Sequence, residues 1–117
     1  MIHYNVWFAL KEGIAEDSGL MVVDRFLRDL SAAGEVSAYR LLRNTSEGAR
    51  TKMPKYHAVI EFADEAALSQ AMKNQTARGI HTGDHGQIIS VVSEFRVEIF
   101  RVLAPYPTGA MLYACEI

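Results

Sequence analysis

The chain has 117 residues, half of them hydrophobic and 22% charged, with a net charge of −2. That length makes one domain able to bury a core without metal or disulfide support, the composition excludes a disordered chain, and the missing basic excess excludes a general binder of nucleic acid or anionic membranes. The single cysteine, Cys115, forms no internal disulfide, and no stretch has the roughly 20 apolar residues of a membrane helix, so a cytoplasmic protein is expected.

Ile2 to Lys11, IHYNVWFALK, alternates with period two: Ile2, Tyr4, Val6, Phe8 and Leu10 on one side, His3, Asn5, Trp7 and Ala9 on the other. One side of this strand is fully apolar and the other mixed. After Glu12-Gly13, Leu20, Val23, Phe26, Leu27 and Leu30 recur at helical spacing and predict an amphipathic helix from about Glu16 to Ala33. Glu16 and Asp17 favour the positive end of its dipole, Asp24 and Arg28 form an i,i+4 pair, and Gly34 stops it by taking a positive φ.

Glu35 to Asn44 reads as a second strand and Lys55 to Ala63 as a third, with Tyr56, Ala58, Ile60 and Phe62 alternating against His57, Val59 and Glu61. The polar connection between them carries Arg43, Arg50, Lys52 and Lys55 but no glycine-rich phosphate cradle, and reads as a solvated loop. Asp64 is placed to cap a second helix from Glu65 to Arg78, ended by Gly79 with Ile80 packing back. Residues 81 to 87, HTGDHGQ, read as a loop on composition. The fourth strand lies within Ile88 to Val102, clearest as Phe95, Val97 and Ile99 against Glu94, Arg96 and Glu98, with a helical turn as the alternative for Ile88 to Ser93. Domain boundaries are expected at 1–103, with an apolar tail over 104–117 packing on a partner or on its own sheet.

The order β-α-β-β-α-β and the handedness of crossovers lead to an α+β, ferredoxin-like antiparallel sheet of order 4-1-3-2, with helices on one face. The other face includes Trp7, Val59 and Leu42 and has no element left to cover it, which predicts a homodimer. This organisation resembles the dimeric α+β barrel superfamily, in which two ferredoxin-like sheets pack face to face and which includes stress-responsive barrel proteins, antibiotic-biosynthesis monooxygenases and small cyclases or isomerases. The stretches IHYNVWFALKEG, RLLRN and KYHAVIEF are similar to an uncharacterised family within it, over residues 1 to about 102. The resemblance implies a homodimer binding a small apolar or aromatic molecule. The alternatives are a cofactor-independent enzyme and a structural dimer with a filled barrel.

If Asn5 faces Val59 across an antiparallel pair, His3 faces Glu61 and Trp7 faces His57, and on the other flank Arg96 and Glu98 come near Asn5 and His3. The open face thus gathers His3, His57, Glu61 and Glu98 as candidates for acid/base chemistry, since a histidine beside carboxylates titrates near neutrality. Asn5, Trp7, Arg40 and Arg96 are the candidate ligand contacts there, with the parity of strand two left open. The competing interpretation, which outweighs a ligand site, is that these polar groups satisfy one another across a dimer. His81, Asp84 and His85 offer metal-ligand types but lack a sufficient set, so no metal and no cofactor is expected.

Overall fold

The computed structural model describes residues 1–46, 52–78 and 83–105, the side chains of 78 and 83–85 excepted. Its elements are β1 (Ile2–Leu10), α1 (Glu16–Ala32), β2 (Ala38–Arg43), β3 (Tyr56–Phe62), α2 (Glu65–Arg78), α3 (Gly83–Val91) and β4 (Val92–Arg101). The strands form one sheet of order β2-β3-β1-β4, every neighbour antiparallel. This is the expected ferredoxin-like order read from the opposite edge.

Strand alternation determines which residues make the core. Ile2, Val6 and Phe8 of β1 and Tyr56, Ala58, Ile60 and Phe62 of β3 are buried together with Val23, Leu27 and Leu30 of α1. The apolar stripe of α1 therefore lies on the helix face of the two central strands, where each buried side chain of this size contributes about 1.5–3 kcal/mol. Helix α1 ends in a Schellman arrangement: Gly34, at φ 78°, donates to Ser31 O and Glu35 donates to Leu30 O, both at 3.0 Å. Asp64 caps α2 by accepting from Ala67 N at 2.8 Å.

Polar pairs fasten α1 to the β2 edge. Asp24 pairs with Arg28 and also accepts from the Tyr39 hydroxyl at 2.6 Å. Arg43 donates to both Glu16 oxygens at 2.9 and 3.0 Å, and the Tyr56 hydroxyl donates to Glu16 Oε1 at 3.2 Å. The Arg43 hydrogen bond is the first cause holding the Glu16 carboxyl below its usual range. Arg43 is thus a paired residue and not a member of a free basic loop.

Three features depart from the sequence-based expectation. Gly83–Val91 is a helix and not part of a loop, because α3 packs against α1 and that contact overrides the poor helix propensity of its two glycines. Strand β4 accordingly begins at Val92, and it is displaced by two residues against β1, with Glu98 opposite Asn5, Arg96 opposite Trp7 and Phe100 opposite His3. A slide of two residues leaves every side chain on its own face, so alternation alone does not determine it. The helices also leave β4 bare: Phe95 and Ile99, on the helix face of this edge strand, are 58% and 57% exposed. Arg50, Gly79, Ile80, His81 and the tail beyond 105 lie outside the described residues, as do the side chains of Asp84 and His85.

Candidate functional site

The open face carries a connected polar ladder. Antiparallel pairing of β1 with β3 sets His3 opposite Glu61, Asn5 opposite Val59 and Trp7 opposite His57. His3 Nε2 lies 3.0 Å from Glu61 Oε1. Asn5 Nδ2 donates to the His3 carbonyl at 3.3 Å, which turns Oδ1 toward His57, whose Nε2 approaches it to 2.8 Å. The neutral imidazole then donates from Nε2 and keeps Nδ1 as an acceptor. Trp7 stacks on the His57 ring with centroids 4.4 Å apart and planes inclined by 17°. Burial pushes the His57 pKa down, because a desolvated imidazolium is disfavoured. Asn5 is 7% exposed and is the buried polar residue of the described core.

The remaining sequence-predicted residues join this face without joining the ladder. Strand β2 turns Ala38, Arg40 and Leu42 to the open side, with Arg40 opposite Val59 and exposed. Arg96 is opposite Trp7, and its guanidinium reaches the Met53 sulfur at 3.5 Å. Glu98 is exposed opposite Asn5, so the expected proximity of Glu98 to His3 gives way to Phe100. Among the described residues no group of His, Cys, Asp and Glu could hold a metal ion, and no helix is long and apolar enough to cross a membrane.

A second feature lies on the other side of the sheet. A cavity of about 550 Å³, open to solvent on one side where Phe95, Ile89 and Met72 are exposed, lies between the sheet and the helices, walled by Tyr4, Phe8, Phe26, Gln75 and Ile88 among others. Its origin is the small side chains that α2 turns inward: Ala71 is buried and Ala67 only touches the core, so the helix fills little of the space above β3. Four polar residues, Tyr4, Gln75, Thr76 and Ser93, interrupt an otherwise apolar wall. Burial alone pushes the Tyr4 phenol pKa up, and Gln75 Nε2 is buried with no hydrogen-bond partner among the described residues. Sequence reasoning missed this site because alanines on a helix face register as weak amphipathicity. Their small size beside Phe26 and Met72 was the available signal.

Comparison with curated proteins returns no match. Among solved structures, the chain is similar to SnoaB, a cofactor-independent oxygenase from Streptomyces nogalater, at 14% identity and TM-score 0.65 over 92% of this chain and 97% of that one. It is also similar to a dabb family protein with a ferredoxin-like fold from Mesorhizobium loti, at 25% identity and TM-score 0.55 over 88% and 97%. A dimeric ferredoxin-like protein of unknown function from Thermobifida fusca shares 16% identity, with TM-score 0.57 over 86% and 90%. These likenesses agree with the ferredoxin-like fold built up from the strands. The model of a family of unknown function, DUF6614, matches residues 1–112, and the chain belongs to that family.

Proposed function

We propose that the protein is a homodimer that binds a small apolar or aromatic molecule in the cavity between its sheet and its helices. The observation that carries the ligand reading is the cavity of about 550 Å³, a size typical of small-molecule sites, with an apolar wall and few polar groups. A screen of aromatic and alicyclic compounds by thermal shift tests it: a ligand at 100 times its Kd raises stability by about 2.7 kcal/mol. The shift should vanish in Ala71→Leu, which grows a side chain into the cavity. Compounds that fail to stabilise the protein, or that stabilise Ala71→Leu equally, would reject the reading.

The homodimer reading rests on the open face. Leu42 and Phe100 are 47% and 51% exposed there beside Trp7 and Val59, with no described element to cover them. Likeness to a protein described as dimeric supports it. In such a dimer the ladder of His3, Glu61, Asn5 and His57 lies between two sheets, where satisfied polar pairs are needed. A monomer in sedimentation at micromolar concentration would reject it.

Catalysis with His3 or His57 as acid/base is the second reading, supported by the Nδ1 that a neutral His57 donating from Nε2 keeps as an acceptor and by likeness to a cofactor-independent oxygenase. The sheet separates both histidines from the cavity, so this reading requires a ligand inside the dimer, against Trp7, Arg40 and Arg96. Loss of ligand binding in His57→Gln but not in Ala71→Leu would favour it.

A further inference from the structure

Gln75 sits on α2 in the cavity wall, and its Nε2 is buried without an acceptor among the described residues. Its neighbours do not share this condition. Gln70 Nε2 donates to Asn74 Oδ1 at 3.0 Å, and Asn74 Nδ2 donates to Glu35 Oε1 at 2.5 Å. The other hydroxyls in the wall spend their protons on backbone: Thr76 Oγ1 donates to Met72 O at 3.0 Å, and Ser93 Oγ donates to Leu10 O at 3.3 Å. The hydrogen-bond donors left for a ligand among the described wall residues are therefore an amide N–H from Gln75 and the phenol of Tyr4 on the sheet floor. A buried donor without an acceptor is a cost that a ligand oxygen removes.

The wall also limits ligand charge. No lysine, arginine or histidine is among its described residues, so an anionic group brought into it would lose water without gaining a counter-charge. We infer that the cavity takes a neutral ring compound bearing a carbonyl-type oxygen, and that Gln75 donates a hydrogen bond to that oxygen. This inference rests on the cavity being the ligand site. It narrows the ligand class to ketones, quinones, esters or amides carried on an apolar skeleton.

The test uses two probes with one skeleton, 1-tetralone and tetralin, which differ by a carbonyl oxygen. Their dissociation constants are measured by equilibrium dialysis on the wild-type protein and on Gln75→Leu. The ratio of tetralone to tetralin affinity should fall by about threefold to tenfold in the variant, the worth of one hydrogen bond, while tetralin affinity holds or rises. The ligand-free variant should melt at the same temperature or higher, since an unpaired buried donor has been removed. Gln75→Met, close in length and more adaptable, carries the same comparison if the leucine disturbs the helix. Binding of both probes with an unchanged ratio in the variants overturns the role of Gln75 and leaves the cavity reading standing. Binding of neither probe to the wild-type protein overturns both.

Discussion

The two faces of the sheet solve opposite problems. The helix face has cover over its central strands and is not filled: Phe8 is 2% exposed, yet a cavity of about 550 Å³ remains beside it. The open face has no described cover and is already organised, with Asn5 held between His3 and His57 and Trp7 lying flat on the imidazole. Large apolar side chains from β1 and α1 pack until small ones on α2 leave a gap, whereas hydrogen bonds and ring stacking fix positions before any partner arrives. Space on one side and order on the other are what a ligand site and an interface respectively require.

Adjacent residues of β1 break this comparison most sharply. Phe8→Ala empties part of the helix face and should cost about 3–5 kcal/mol of stability in urea unfolding. Trp7→Asp, one position away, should leave the subunit folded and abolish association in sedimentation, because an unpaired buried charge costs about 3–5 kcal/mol. If Trp7→Asp instead unfolds the chain while Phe8→Ala is tolerated, the assignment of faces is wrong.

Asp64→Ala gives a smaller effect confined to the cavity side. Loss of the cap on α2 should lower stability by about 1 kcal/mol and weaken ligand binding by loosening the wall that carries Gln75, with sedimentation unchanged.

The pH dependence probes the open face. The folded-state pKa of His57 lies below the unfolded value near 6.5, because burial disfavours the charged ring. The unfolded chain therefore takes up this proton first. The stability owed to a neutral His57 is fully present above about 6.5 and is lost as pH falls through the folded value. His57→Gln should flatten the decline of the urea midpoint between about pH 7 and 5, a window set by the ordinary histidine value. A decline of unchanged slope in the variant would assign the pH dependence elsewhere.

Much of this was legible in the sequence, for identifiable reasons. The period of two in β1 and β3 assigns faces, and one correct pair, Asn5 with Val59, brings His3 to Glu61 by the geometry of antiparallel strands. The same logic failed by two residues on β4, since that slide preserves the faces of Phe95, Val97 and Ile99 while moving Arg96 from Asn5 to Trp7 and Glu98 from His3 to Asn5. The contact of Asn5 with His57 is diagonal and depends on side-chain rotamers, which alternation does not encode. Helix α3 was hidden by its glycines, and the cavity by the fact that an absence of side-chain volume has no period. Strand β2 was ambiguous because both of its sides mix Leu with Arg, and pairing with β3 resolves it.

Strand β1 writes two instructions in one stretch of chain on alternating letters. Tyr4, Val6 and Phe8 face the cavity, while His3, Asn5 and Trp7 face away from the helices. A library of substitutions along residues 3–8 should therefore sort by parity, even positions losing the ligand and odd positions losing the partner. Inserting one residue after Asn5 would exchange the messages downstream and destroy both, while each half on its own side can drift under a separate selection.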